Sequence, residues 1–278
     1  MCTVAIIGAG INGLMSAYYL NKEGHEVSIY DSAPTHEGCS YGNAGMIVPS
    51  HIIPLASPGM ITKGIKMLFN SRSPFYIKPR ASVELLRWGY LFYKKSTAAH
   101  VQHSIAPLRD LSLLSKKLFA ELSKDLDFGW KENGLLMLYK TAAVEKEETE
   151  MTITSNKSGI EAHLLSAAEV QRMEPDVKLS VKGAVYYPGD AQVDPGKLMM
   201  QLQEYLVNKG VKIIQNTEVI DFLKTSNHPD SIRGVITKDG SAIYDRIVLA
   251  GGAWSGKLMS KLNIHLPMQS GKGYSVMN

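Results

Sequence analysis

Between Thr3 and Asp31 the chain reads TVAIIGAGINGLMSAYYLNKEGHEVSIYD, and that order leaves few folds open. Val4–Ile7 is a short apolar run rich in β-branched residues, the pattern of a strand buried on both faces. Gly8, Gly10 and Gly13 follow at once in the spacing G-x-G-x-x-G. In that spacing the first glycine permits a tight turn. The second lets backbone approach a pyrophosphate, and the third lets the next helix pack closely on the strand. A helical stretch over Leu14–Lys22 comes next, with Gly24 as its stop. Glu26–Tyr30 reads as a second strand, and it ends at Asp31, whose carboxylate can accept hydrogen bonds from a ribose. The start of the helix offers unpaired N–H groups and a positive dipole end to phosphates. Strand, glycines, helix, strand and acid in this order define a dinucleotide site rather than an unliganded glycine turn.

Residues 3–20 carry no charge, a run long enough to cross a bilayer. No basic stretch precedes it, and three glycines and an asparagine interrupt it, so it reads as neither signal peptide nor anchor. Of 278 residues, 45% are hydrophobic and 20% charged, enough for one large globular domain or two smaller ones. Two cysteines, Cys2 and Cys39, make no disulfide framework and suit a reducing cytoplasm. No metal-spaced Cys/His cluster stands out, and no basic-aromatic motif points to nucleic acid.

From Gly38 to Thr62 the chain contains no Lys, Arg, Asp or Glu. Its glycines and prolines argue against a regular element. An uncharged loop after a dinucleotide unit reads as lining a cofactor. Gly42, Ala44 and Gly45 would let backbone lie against a flat ring, and Cys39 and Ser40 could donate to phosphate; the other reading is a buried structural loop. Residues 61–100 hold eight Lys/Arg and one acid, a local charge of +7 against −3 for the rest. Two helices are expected there, Met60–Phe69 and Ser82–Tyr93, split by Pro74–Pro79. The basic and aromatic residues of the second admit two readings, a cap helix with a solvated basic face or a membrane-surface patch meeting anionic lipid. On the second reading the protein sits loosely on the inner face of a membrane and passes electrons to a quinone.

Leucines at 108, 111, 114, 118, 122 and 126 predict a helix over Ile105–Leu126 with one apolar face. Gly134–Thr141 and Gly183–Tyr187 read as strands, and Ala142–Thr152 as an exposed helix. Ser166 and Glu169 open a short helix with the spacing of a capping box. A further α/β unit begins near Asp194. Pro195 opens a helix to Asn208, Gly210 ends it, and a strand follows at Val211–Ile214. Thr217–Leu223 and Ile232–Lys238 are expected as an antiparallel excursion, with a hairpin turn at Asp239-Gly240. Tyr244–Ala250 is an apolar strand running into Gly251-Gly252-Ala253-Trp254-Ser255. A helix to Leu262 and a broken strand over His265–Val276 complete the expectation.

Six stretches together carry a family likeness: GAGING near the start, NAGM at 43–46, DAQVDPGKL at 190–198, TEVIDF at 217–222, AGGAWS at 250–255 and GKGYS at 271–275. The chain resembles the FAD-dependent D-amino-acid oxidase superfamily, nearest its bacterial D-amino-acid dehydrogenases, with glycine oxidase more distant. The resemblance implies an α/β protein. A Rossmann-like FAD-binding domain (1–50 and 191–262) would be interleaved with an α+β substrate or cap domain (51–190 and 263–278). It implies FAD, with Gly8, Gly10, Ile11, Asn12 and Gly13 at the pyrophosphate and Asp31 at the adenosine ribose. Cys39 and Ser40 would lie near the diphosphate, and Asn43, Gly45 and Met46 toward the isoalloxazine ring. The Val219 backbone would hold the adenine, and Gly251, Gly252 and Trp254 would close the phosphate side. Lys272 and Gly273, with Gly271, would lie near the flavin and the substrate. His51, just after NAGM, is with Lys272 the candidate catalytic residue, against the plainer reading of a hydrogen-bonded loop histidine.

By the same resemblance the reaction is oxidation of the α C–N bond of a D-amino acid. A cyclic imino acid such as D-proline or hydroxyproline is the alternative substrate. Members of the family continue past the GKGYS stretch with a glycine-rich segment under the ring and an arginine for the substrate carboxylate. The sequence ends at Asn278, so a flavoprotein fragment that turns nothing over is the competing expectation, and an NAD-dependent dehydrogenase a third.

Overall fold

The computed structural model describes residues 1–34, 38–68, 82–225 and 228–274, and divides the chain into two compact units. The first comprises Met1–Ala44, Leu126–Phe128 and the chain from Asp194 onward. The second comprises Gly45–Asp125 and Gly129–Val193. Gly45–Ser50 and 191–193, expected with the cofactor domain, thus group with the second unit, and the described residues after 262 with the first.

The first unit is built on a four-stranded parallel sheet. Its strands are β1 (Thr3–Ile7), β2 (Glu26–Tyr30), β8 (Lys212–Ile214) and β12 (Arg246–Leu249), in the order β12-β1-β2-β8. Helix α1 (Ile11–Lys22) connects β1 to β2 and packs beside α7 (Pro195–Asn208). Both helices bury an apolar stripe, Leu14, Ala17 and Tyr18 from α1 and Leu198, Met199, Leu202 and Leu206 from α7. Val4, Ile6, Val27 and Ile29 are buried on one face of the sheet and Ala5, Ile7 and Tyr30 on the other, as a parallel sheet covered on two faces requires. Asp194 caps α7 by accepting the Lys197 N–H, and Pro195 stands in the first turn where its missing N–H costs nothing.

A three-stranded antiparallel meander follows β8: β9 (Val219–Thr225), β10 (His228–Thr237) and β11 (Gly240–Ile243). Val219, Phe222 and Val235 from the meander share a core with Ala5, Ile7 and Tyr30 of the sheet, and Leu258 and Leu262 pack against it. Ala250 closes β12, then a 3-10 turn (Gly252–Trp254) leads into α8 (Ser255–Ser260). No strand forms over 265–274, although the sequence predicts one from His265 to Val276; residues 275–278 lie outside the described part. The Gly271-Lys272-Gly273 interruption removes the side chains that a strand would pack.

The second unit carries β3 (Met46–Ile47) paired antiparallel with β7 (Ala191–Gln192). A second antiparallel sheet has the order β4-β6-β5, from β4 (Leu135–Tyr139), β5 (His163–Ser166) and β6 (Gly183–Tyr187). Helices α2 (Met60–Leu68), α3 (Val83–Lys95), α4 (Ala98–Leu122), α5 (Ala142–Lys157) and α6 (Ala167–Met173) complete it. Helix α6 has the expected capping box, with Ser166 and Glu169 exchanging hydrogen bonds. Phe69 and the Pro74–Pro79 stretch lie outside the described residues. Helix α4 starts at Ala98 rather than Ile105, because Thr97 caps it through the His100 N–H and Pro107 is carried inside the helix. Its leucine stripe is only partly buried: Leu122 is buried, while Leu111 and Leu114 are 66% and 51% exposed. Ile52, Ile105, Tyr139, Ile160, Ala162, Val185 and Tyr187 form the unit's core.

Candidate functional site

In the first unit the glycine motif folds as its spacing requires. Gly8 has a φ of +111°, and a Cβ there would lie 2.5 Å from the Ala250 carbonyl oxygen. Gly13 is tighter still, since a Cβ would fall 1.8 Å from the Gly8 carbonyl oxygen. These two glycines are fixed by protein packing against protein. Gly10 differs: its nearest neighbour to an added Cβ is the Ser40 hydroxyl at 3.4 Å. The backbone around Gly10 is the part of the motif left accessible, as close approach of a ligand demands. Gly10 is also the N-cap of α1 and makes no side-chain cap, and no acid stands in the first turn. The Ile11 N–H donates to Ser40 Oγ at 3.0 Å, and Asn12 is exposed at the same helix end. A helix start with free N–H groups, an accessible glycine and a positive dipole end fits a pyrophosphate.

Asp31 stands at the end of β2 as expected, but its carboxylate also has partners within the protein. Oδ2 accepts the Ala9 N–H at 2.6 Å and Oδ1 accepts the Ala33 N–H at 2.9 Å. The Thr217 N–H donates to the Asp31 carbonyl at 2.7 Å, which ties the approach to Val219 and β9 to the same point. Asp31 therefore braces the glycine loop. A carboxylate has about four lone-pair positions, so acceptance from a ribose hydroxyl remains compatible with this bracing. Asn43 donates to the Cys39 and Ser40 carbonyls at 3.1 and 3.0 Å, folding the loop that brings Ser40 to α1. Cys39 is an exposed free thiol. Gly251 follows β12 beside Gly8, Gly252 takes a φ of +52°, and Trp254 is 72% exposed. Gly8, Gly10, Ile11, Asn12, Gly13, Asp31, Ser40 and Gly251 thus gather at the carboxyl end of the parallel sheet.

The remaining candidates fall elsewhere. Gly273 and Lys272 lie in the exposed irregular run, where Lys272 Nζ sits 5.1 Å from the centre of the Tyr274 ring. Gly45 and Met46 belong to the second unit. Gly45 is buried with a φ of +64°, and its carbonyl accepts the Val193 N–H, beside the β3–β7 pair. His51 is exposed in the second unit, on a turn whose closing bond runs from its N–H to the Val48 carbonyl. Its Nδ1 lies 3.2 Å from Ser50 Oγ, which lies 2.6 Å from Oδ2 of the buried Asp190. Neither Ser50 nor Asp190 carries a spacing that marks it in the sequence, although Asp190 opens the DAQVDPGKL stretch. Among the described residues no group of three or more His, Cys, Asp or Glu could hold a metal, and no helix is long and apolar enough to cross a membrane.

A parallel sheet with this glycine cradle at its carboxyl end defines a dinucleotide-binding fold. The family model described as FAD dependent oxidoreductase matches residues 3–278, and the chain belongs to that family, whose cofactor is FAD. It is 35% identical over 274 residues to a D-amino acid dehydrogenase of Helicobacter pylori, covering 98% of this chain. The chain spans 65% of that relative's length. Its fold is similar to glycine oxidase from Bacillus cereus (TM-score 0.64, 23% identity, 95% of this chain and 59% of that one). Glycine oxidase from Geobacillus kaustophilus gives a TM-score of 0.66 at 22% identity, over 96% of this chain and 60% of that one.

Proposed function

We propose that the protein is an FAD-dependent oxidoreductase that oxidises the α C–N bond of D-amino acids. The observation that carries the cofactor half is the contrast among the three glycines. Two are locked by protein contacts, while Gly10 is open and, as N-cap, supplies no side-chain cap to the helix start. The residues that would hold FAD are Gly8, Gly10, Ile11, Asn12 and Gly13 at its pyrophosphate, with Ser40 beside them. Asp31 and the Val219 backbone would hold the adenosine, with Gly251, Gly252 and Trp254 at the phosphate side. The substrate half rests on the D-amino acid dehydrogenase relatives.

When bound, FAD supplies the two-electron acceptor that takes the hydride leaving the substrate α-carbon. The protein's own contribution is to orient the substrate and to exclude bulk water. The imine released is hydrolysed by water to a 2-oxo acid and ammonia, and a separate electron acceptor completes the cycle. The test is the absorption spectrum of the purified protein, followed by anaerobic addition of D-amino acids. Flavin bands that bleach with D- but not L-amino acids are expected. NAD binding without flavin bands would overturn the cofactor assignment, and flavin bands that bleach only with another substrate class would overturn the substrate assignment.

A further inference from the structure

Asp190, Ser50 and His51 form a hydrogen-bonded line in the second unit. Asp190 is 1% exposed. Both its carboxylate oxygens face Ser50: Oδ1 accepts the Ser50 N–H at 3.1 Å and Oδ2 lies 2.6 Å from Ser50 Oγ. The latter distance is that of a hydroxyl donating to an anion. Burial pushes the Asp190 carboxyl above its usual range, and the two Ser50 hydrogen bonds, His51 and Lys116 oppose the rise. Ser50 is itself buried.

Donor accounting then fixes the imidazole. A serine hydroxyl has one proton to donate, and an ionised carboxylate can only accept. Ser50 therefore gives its proton to Asp190 and accepts from His51, so the Nδ1 at 3.2 Å must carry the hydrogen. Nε2 of a neutral histidine is then the bare nitrogen, and it has no hydrogen-bond partner among the described residues. The backbone is built to hold this line. Pro49 occupies the second position of the turn closed by the His51 N–H and the Val48 carbonyl, where proline is favoured. Ile52, fully buried, anchors the next residue in the core with Tyr139, Val185 and Tyr187. The Asp190 carbonyl accepts the Gly134 N–H, which fixes the other end of the line.

We propose that Asp190 and Ser50 are positioning residues that hold His51 as its Nδ1–H tautomer, presenting Nε2 as the base for a ligand ammonium. The proposal rests on the amino-acid reading above. In the step, a ligand N–H bond breaks, its electron pair stays on nitrogen as the amine lone pair, and the proton forms the Nε2–H bond. The imidazolium so formed keeps its Nδ1–H on Ser50, in line with the Asp190 carboxylate. An amine nitrogen with a free lone pair is what a C–N oxidation needs, because a protonated nitrogen cannot become an imine. The other groups acting on His51 and Asp190 are Glu148 on α5, itself facing Glu147 and Lys63, Lys116 on α4, and Tyr187 on β6.

The tautomer is readable without turnover. Two-bond proton–nitrogen correlation spectra of the full 278-residue chain, taken about pH 8 where an ordinary histidine is neutral, resolve His51 by difference against His51→Gln. The unsubstituted chain is expected to show His51 mainly as Nδ1–H, whereas free neutral imidazole favours the other form. Asp190→Asn reverses the line, since its amide nitrogen donates to Ser50 Oγ and the hydroxyl must then donate to Nδ1. His51 is expected to switch to Nε2–H in that variant. Ser50→Thr, which keeps the hydroxyl, is expected to retain Nδ1–H. A His51 that is Nε2–H in the unsubstituted chain overturns the proposal whether or not the variants fold. A spectrum unchanged by Asp190→Asn in a folded variant overturns it equally. A D-amino acid that fails to bleach flavin while the tautomer switch is seen removes the substrate reading and leaves the line standing.

Discussion

The three glycines of the motif carry different constraints, and substitution separates them. At Gly13 a methyl group would meet the Gly8 carbonyl oxygen at 1.8 Å, a contact that only movement of α1 can relieve. Gly13→Ala is expected to lower unfolding free energy by about 1–3 kcal/mol, the size of an overpacking penalty, read by denaturant melting. Gly10→Ala, with only a flexible hydroxyl at 3.4 Å, is expected to fold with near-normal stability and bind FAD more weakly. Equal loss of stability in both variants would contradict this division. Asp31→Ala removes the acceptor of the Ala9 and Ala33 N–H groups as well as the ribose partner. It is expected to weaken FAD binding by about 1–3 kcal/mol, the range for hydrogen bonds to a charged group. Titration of the apoprotein measures it, and an unchanged affinity would count against Asp31. Asp190 supplies a pH signature. Its folded pKa lies above the unfolded one, so its favourable contribution is present below about pH 4 and lost as pH rises through the folded value. The stability of the unsubstituted chain relative to Asp190→Asn is therefore expected to increase on acidification, and a difference independent of pH would show Asp190 to be unperturbed.

Elements whose signals are local were legible in the sequence. The β1–α1–β2 unit, α7 and β6 follow from turn glycines, a proline at a helix start and runs of apolar residues that need no distant partner to be recognised. Elements whose identity depends on a partner were not. Met46–Ile47 is a strand only because Ala191–Gln192 lies opposite, and His163–Ser166 only because it pairs with β6. Periodicity also misread what a face does. The leucine stripe of α4 stays half in solvent, and α3 turns two faces of different character outward and inward. Leu85, Trp88, Leu91 and Phe92 are partly buried, with Trp88 and Phe92 stacked at 5.1 Å. Val83, Leu86, Tyr90 and Tyr93 form a second stripe, between 63% and 82% exposed. Arg87, Lys94 and Lys95 flank it, also exposed. An apolar stripe edged by cations matches a headgroup region better than bulk water. On this reading the protein is expected to sediment with anionic vesicles at low salt, less so as salt screens the cations. Replacing Leu86 and Tyr90 with aspartate should abolish it. Absence of sedimentation at low salt would leave α3 as a cap helix and remove the argument for a membrane quinone as acceptor.

At the scale of the molecule, the residues that the resemblance assigns to FAD do not share one unit. The glycine cradle, Asp31, Ser40, Val219 and Gly251 belong to the first, and Gly45 and Met46 to the second. Such a split follows from a sheet whose strands come from both ends of the sequence: β1 and β2 precede the second unit in the chain, and β8 and β12 follow it. This is why the cradle was visible in the first thirty-one residues, while the Asp190–Ser50 line joins positions separated by 140 residues and shows no spacing to read. The division makes the cofactor assignment testable segment by segment. A ligand at about a hundred times its dissociation constant stabilises the state that binds it by about 2.7 kcal/mol. Amide exchange should slow where that state is ordered. On adding FAD, slowed exchange is expected in the Gly8–Gly13 loop, at the start of α1, around Asp31 and at Val219. If the ring end is held as the resemblance implies, exchange should slow as well at Met46–Ile47 and its partner Ala191–Gln192. Protection in the first set without the second would confine the cofactor contact to the adenosine and phosphate end. Protection in neither would remove the glycine cradle as the binding site.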